Sequence, residues 1–367
     1  MERQSVDMAA IWGAALTAIR CAHCGEAHLV PEGNLPARCP LCLQGPVEAQ
    51  PTVLRQEPPE QVIPYAVSGR QLAAALEQWT RGIWFRPREL RADLLLQRAK
   101  RYYIPLWLVD GQVRGAWQAE VGFDYQVVSY QDRYSESGGW SSQQVNETRV
   151  RWEPRAGRIE RRYDNLPTPA LDDHRATIGR LGGVNLERRT DYQPEAVQDA
   201  TVRIPTLDPD EAWPGAEAAF VRAAAAECQQ AASADHVRDF RLQAEYRDLN
   251  WSLLLLPAYV TWYQEGGRAW PVMVNGQSGH ISGARRASAR KANTTSLLLG
   301  SAALILFVIG SILALVGLAL PPVAVLGGFI LVVGLLLALV APIPAIGVWI
   351  KNRKGEATHA PPLPARE

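Results

Sequence analysis

The chain has 367 residues, 20% of them charged and 47% hydrophobic, with a formal net charge of +1. That length admits two or three domains, and that balance excludes a disordered chain, a collagen-like repeat and a disulfide-dense miniprotein. A net charge near zero also argues against a body that clamps nucleic acid over its whole surface.

The first signal along the chain is a mostly apolar stretch at residues 8–19. It is too short to cross a membrane, and Glu2 and Asp7 ahead of it have the wrong charge for a signal peptide. A short helix is expected there, packed either on the body or on a membrane.

Cys21-x-x-Cys24 and Cys39-x-x-Cys42 follow, separated by fourteen residues. Two knuckles at this spacing can bring four thiolates onto one Zn2+ in a closed tetrahedral site. Such a site has no open coordination position, so it holds a fold and performs no chemistry. A redox dithiol pair is the alternative. Gly25 follows the first knuckle, and Leu43 stands where a second glycine is expected. With four cysteines available, His23 and His28 are expected to face solvent. Residues 1–50 are read as a short helix plus zinc ribbon, carrying three arginines against five carboxylates. That is the wrong sign for phosphate binding, so a protein contact is expected.

Residues 51–62 are rich in Pro and Gln and read as a linker or an edge segment. Residues 63–284 read as an α+β cytoplasmic body built on antiparallel sheet. A helix at 71–79 has an apolar face through Leu72, Leu76 and Trp79. A buried strand at 103–109 is followed by Asp110-Gly111, a turn signal, and a second strand through Trp117 and Val121. Residues 148–152 alternate as a strand, a turn is expected near Gly157, and another strand follows at 158–163. A helix spans 212–230, with Cys228 as a small buried residue. A buried strand at 253–263 turns at Gly266-Gly267 into 269–274, which turns again at Asn275-Gly276. Pro105-x-Trp107, a Gly turn and Trp117 correspond to Pro257-x-Tyr259, a Gly turn and Trp270. This faint repeat suggests two helix-plus-hairpin lobes.

Residues 292–350 contain no Asp, Glu, Lys, Arg or His, where average composition would place about twelve charges. Two blocks, 296–320 and 323–350, each approach the ~20 apolar residues that cross a bilayer. Pro321-Pro322 between them ends one helix, so 296–350 reads as a transmembrane helical hairpin. Arg285, Arg286, Arg290 and Lys291 form a basic collar at 285–295, and Lys351, Arg353 and Lys354 open a basic, then Pro-rich tail at 351–367. These basic flanks are expected to contact lipid headgroups and to hold both ends in the cytoplasm. Trp349 sits at the inner boundary, and Pro342 and Pro344 should break the second helix near its end. Gly300, Gly310, Gly317, Gly327, Gly328 and Gly334 should let the helices approach. The expected location is the inner (plasma) membrane, as a multi-pass protein with both termini cytoplasmic.

Catalytic motifs are missing: there is no P-loop, GxSxG or HExxH, and no GxGxxG after a strand. Asp172-Asp173-His174 reads as an exposed loop, and His236 and His280 as isolated. Arg149, Arg151, Arg155, Arg158, Arg161 and Arg162 interleave with Trp152 and Tyr163. Strand alternation makes them a solvated face, and phosphate binding is the competing reading.

Several segments together resemble bacterial membrane proteins with a transcription-factor-IIB-type zinc ribbon. They are CAHC and CPLC around the four cysteines, YYIPLWLVD at 102–110 and RVRWEPRAGRIERRYDN at 149–165. LLLLPAYVTWY at 253–263 and VNGQSGHISG at 274–283 complete the set. The last matches the family's VNGxTG turn, with Ser278 in place of threonine. The family's histidine ahead of the LLPxW strand is absent, and Tyr259 stands where Trp is common. The resemblance implies no catalytic activity. It implies an anchor or adaptor beside an SPFH-domain or phage-shock-protein-A-like partner. The expected function is therefore a non-enzymatic, membrane-anchored zinc-ribbon adaptor or scaffold recruiting cytoplasmic protein, with no small-molecule substrate. The alternative is a membrane-tethered nucleic-acid-binding protein using the ribbon and the arginine strands.

Overall fold

The computed structural model describes residues 8–50, 58–135, 139–316, 318 and 321–358. Most of the expected linker, residues 51–57, lies outside them, as does Gly317. The architecture is mixed α/β with a large sheet, two long apolar helices near the C-terminus and a cysteine cluster near the N-terminus.

The apolar stretch at 8–19 divides. Only α1 (Met8–Trp12) is helical, and Leu16 already opens β1 (Leu16–Cys21). The strand prevails because Leu16, Ala18 and Ile19 are buried and the whole strand pairs antiparallel with β2 (Ala27–Pro31). The stretch packs on the body: Trp12 meets Tyr192 edge-on, and the Tyr192 hydroxyl donates to the Trp12 carbonyl at 3.0 Å. β3 (Val47–Ala49) completes the ribbon on the other edge of β1. The end of the expected linker or edge segment joins the sheet as β4 (Gln61–Val62), so the linker stops earlier than residue 62.

Two helices follow, α2 (Gly69–Thr80) and α3 (Ala92–Arg98). In α2, Ser68 and Gln71 form a capping box that satisfies orphan N–H groups at its start. Leu72 and Leu76 are buried against Tyr263, Trp270 and Val272.

β5 (Lys100–Ser135) and β6 (Gly139–Thr168) form one very long antiparallel pair. This overturns the two turns expected within them. Asp110-Gly111 is a bulge, not a turn, and β5 runs on with neighbours on both sides. Asp110 there accepts the Asn165 N–H at 2.6 Å. A Cβ at residue 111 would lie 2.9 Å from the Phe220 ring, so glycine makes room for a helix side chain. Gly157 lies mid-strand opposite Trp117, where a Cβ would come within 3.0 Å of the indole. The two-lobe repeat loses its first hairpin accordingly. Its two Pro-containing strands instead pair with each other, Tyr103 facing Pro257 and Pro105 facing Leu255.

After β6 come α4 (His174–Leu181), β7 (Thr190–Asp191), β8 (Ala200–Arg203) and α5 (Pro209–Ala231). Helix α5, capped by Asp208 and Glu211, buries Ala216, Phe220 and Ala224 on Val109, Val113 and Ile159. Cys228 is buried in this helix, as expected. The sheet closes with β9 (His236–Glu265), β10 (Arg268–Asn275) and β11 (Ile281–Gly283), joined by the expected turns at Gly266-Gly267 and Asn275-Gly276. The main strand order is β11-β10-β9-β5-β8-β2-β1-β3. Beyond Gly122, β9 ends its pairing and β5–β6 continue as a two-stranded arm.

The apolar helices are α6 (Ala289–Val316), α7 (Pro321–Val340) and α8 (Ile343–Thr358), with the expected break at Ala341-Pro342. Residues 289–316 and 322–353 are long and apolar enough to cross a membrane. A helix pair sunk in a soluble core does not describe them, because Leu297, Leu304, Phe329 and Leu339 are exposed. Gly310, Gly327 and Gly334 do sit at the helix contact: a Cβ on Gly327 would meet the Ala314 nitrogen at 2.5 Å. Gly300 and Gly328 face open space, contrary to expectation.

Backbones crowd at Gly115, where a Cβ would lie 2.1 Å from the Gln243 carbonyl. Gly115→Val should force β5 from β9 and cost at least the ~1–3 kcal/mol typical of overpacking. A lowered unfolding midpoint in detergent checks this, and an unchanged midpoint contradicts it.

Candidate metal centre and its clamp to the body

Each knuckle is a tight turn whose first cysteine carbonyl accepts an N–H four residues on. Gly25 N–H donates to Cys21 O and Leu43 N–H donates to Cys39 O, both at 3.0 Å. Gly25 has φ +75°, and Leu43 has φ +61°. Leu43 therefore adopts the left-handed backbone that glycine would take freely. Its largely buried side chain offsets part of that strain.

The turns aim amides at sulfur. His23 N–H reaches Cys21 Sγ at 3.3 Å, and Leu41 N–H reaches Cys39 Sγ at 3.4 Å. The Sγ atoms of Cys21, Cys24, Cys39 and Cys42 all lie within 4.8 Å of one another. Cys21 and Cys42 are 3.6 Å apart, Cys24 and Cys39 3.8 Å. A metal ion ~2.3 Å from each of four tetrahedral thiolates spaces them by about 3.8 Å, so this set can hold one ion. As bare thiols Cys24 and Cys42 resist ionisation, whereas, against the cost of burial, the Cys24 and His23 N–H groups aimed at Cys21 Sγ favour its thiolate. The hydrogen bond to Cys39 pushes the Cys24 thiol far above its usual value, and burial raises that of Cys42. A bound cation reverses both effects, because coordinated thiols lose their protons. Gly45 matters more than its sequence suggested: a Cβ there would lie 2.9 Å from Cys21 Sγ and 2.5 Å from His23 Cβ.

A second polar cluster lies directly behind the knuckle and was missed in the sequence. Arg203, at the end of β8, is 1% exposed. Its guanidinium meets Glu26, two residues past Cys24, at 2.9 and 2.7 Å. It also meets Asp173, the residue before α4, at 2.9 Å. Asp173 accepts in addition from Thr177 Oγ1 at 2.9 Å. The 172–174 segment is an exposed loop only in part: Asp172 is exposed in a turn and His174 opens α4, but Asp173 is one jaw of an ionic clamp on buried Arg203 between ribbon and body. β2 and β8 pair across the same boundary, so the ribbon strands continue the body's sheet.

His28 also departs from expectation. It is fully buried, with Nε2 2.9 Å from the Tyr102 hydroxyl. Burial, reinforced by the nearby Arg203 charge, drives its pKa down to about 3. His23 is exposed, as expected. His236 is not isolated: its Nε2 lies 2.8 Å from Asp124 Oδ1.

The arginine strands are exposed but largely neutralised. Arg149 pairs with Glu147, Arg151 and Arg155 with Glu153, Arg162 with Asp164, and Arg161 with Glu227. In the collar, Arg285 donates to the Arg81 carbonyl at 2.6 Å, and Lys291 to the Arg86 carbonyl at 2.7 Å. Arg286 is half-buried, its guanidinium 4.2 Å from the Trp270 ring, so it faces the body more than a lipid surface. Arg290 and Lys351 are exposed, and Arg353 lies over Trp349 at 5.4 Å. Lys354 lies within α8, and its side chain is outside the described residues. No family model, curated protein or solved structure matches the chain.

Two outcomes follow from the clamp. Glu26→Gln leaves a buried cation short of an anion and should cost about 3–5 kcal/mol, read as a lower unfolding midpoint. His28 sets a pH dependence: unfolded, it takes a proton near pH 6.5, but folded only near 3. The unfolded state binds more protons throughout that window, so stability falls as pH drops from about 6.5 towards 3. His28→Gln should flatten this slope relative to wild type, and an unchanged slope would rule the mechanism out.

Proposed function

We propose that the chain is a membrane-anchored zinc-ribbon adaptor that recruits a cytoplasmic protein. The apolar helices cross the plasma membrane as a hairpin with both ends in the cytoplasm. The four cysteines hold one structural Zn2+, for which an all-thiolate tetrahedral set is the ordinary site. The uncharged spans and the basic residues on both flanks support this placement.

The observation that carries the adaptor reading is the arm beyond Gly122. Residues 123–135 of β5 extend it by roughly 40 Å at ~3.3 Å per residue. Two-stranded ribbons bury too little to be stable alone. Val128, Tyr130, Tyr134 and Trp140 are nonetheless exposed on one face of it, with the Tyr134 and Trp140 rings 5.5 Å apart. Exposed aromatic side chains on a projecting element are the composition of a protein interface. The ion-paired arginine strands favour this over nucleic acid, which needs cations free to take up phosphate. The resemblance noted above points to an SPFH-domain or phage-shock-protein-A-like partner.

Elemental analysis of the purified chain should find stoichiometric zinc, and Gly45→Ala, which crowds Cys21, should lower it. Mild-detergent purification followed by mass spectrometry should identify a partner of the stated class. A Tyr130→Ser, Tyr134→Ser, Trp140→Ser variant should lose that partner while keeping its zinc and its membrane fractionation. Wild-type protein that repeatedly emerges alone, or a partner indifferent to the triple change, refutes the adaptor reading.

A further inference from the structure

Residues 81–91 connect α2 to α3, and the structure sets this connection against the base of the apolar helices. Phe85 packs on Ala287, Ala292 and Val348. Ala292 opens the uncharged stretch and Val348 lies near its end. Phe85 thus marks the level at which both apolar spans begin. Three hydrogen bonds fasten the connection to the collar there. The Ser288 N–H donates to the Phe85 carbonyl at 2.7 Å, the Lys291 ammonium to the Arg86 carbonyl at 2.7 Å, and the Arg285 guanidinium to the Arg81 carbonyl at 2.6 Å.

The backbone at Phe85 is left-handed, φ +52°, an uncommon conformation for an aromatic residue. Phe85 is tucked among the helix side chains while its neighbour Trp84 is 74% exposed. A tryptophan so placed leaves most of a large apolar surface in water, whereas the headgroup layer accommodates both its ring and its N–H. The charges around it suit the same layer. Arg81, Arg86 and Arg88 are exposed on the connection, and Arg290 and Lys291 are exposed beside it on α6. Arg88, Arg290 and Lys291 line a groove of about 820 Å³ along the first turns of α6, which Glu265 also lines. The other acid there, Glu89, is held by Arg98 at 2.9 Å and accepts the Gln264 N–H at 3.0 Å.

We propose that residues 81–88 form a membrane-docking loop. Trp84 inserts among lipid headgroups, and Arg86 and Arg88, with Arg290 and Lys291, take the phosphates of anionic phospholipids. The proposal rests on the membrane-anchored reading and adds to it: the body lies against the bilayer at a fixed orientation instead of swinging on a tether. The loop belongs to the body, far in sequence from the spans, so it supplies a second attachment point.

The test uses the full chain reconstituted in vesicles of phosphatidylcholine and phosphatidylglycerol, with or without bromine on the acyl chains near the glycerol. The emission difference between wild type and Trp84→Phe isolates Trp84 from the other tryptophans. That difference should be blue-shifted, at least halved by the brominated lipid and insensitive to aqueous iodide. It should become iodide-sensitive in Arg86→Gln, Arg88→Gln protein and in vesicles of phosphatidylcholine alone. If the protein floats with the vesicles but Trp84 is quenched by iodide and not by brominated lipid, the docking loop is overturned and the anchor stands. Equal insertion in phosphatidylcholine alone overturns the assignment of the arginines to anionic headgroups. Protein that does not float with vesicles overturns both.

Discussion

The body of this molecule is organised by the pairing of β5, which up to Gly122 has neighbours on both sides over most of its length. Its first residues pair with β8, which carries the ribbon, and with β9, which leads to the collar. Its middle pairs with β6 and β9 beneath α5, and its end pairs with β6 alone as the arm. A central strand with backbone partners on both edges leaves no N–H or C=O unsatisfied, and it resists shear along its length. Metal centre, arm and apolar helices are therefore parts of one frame, linked through backbone hydrogen bonds.

The price of that continuity is visible where elements crowd. Gly111, Gly115 and Gly157 all sit in strands rather than turns, because a ring or a carbonyl occupies the space a Cβ would need. The ribbon is joined to the frame by charge as well as by sheet. Arg203 loses its water on folding and is compensated by Glu26 from the ribbon and Asp173 from the body. A buried cation with a partner from each side ties the two regions together, since separating them would strand it. His28 and Tyr102 lie beside it and stay neutral, as burial demands.

Much of this was legible because it depends on short-range pattern. The apolar spacing of α2 and the alanine-rich run of α5 give helices at nearly the expected limits. The paired glycines at 266–267 and the Asn275-Gly276 dipeptide turn the chain where they should. The four cysteines converge as their spacing required. Other readings failed for one shared reason. Asp110-Gly111 looks like a turn, residues 8–19 like one helix and Asp173 like part of a solvated loop only when neighbours in sequence are consulted. Their actual roles were set by Phe220, β2 and Arg203, all distant along the chain.

The sequence by itself determined the two apolar spans, the proline break between them, the closed thiolate set and the absence of the common catalytic motifs. These are properties of composition and local spacing, and hydrophobic length or ligand count needs no partner to define it. Only the tertiary structure decided that the ribbon is continuous with the body, that a buried arginine clamps it there, and that Trp84 emerges where the apolar helices begin. Each of those depends on which distant residues share a neighbourhood, and local pattern carries no information about that.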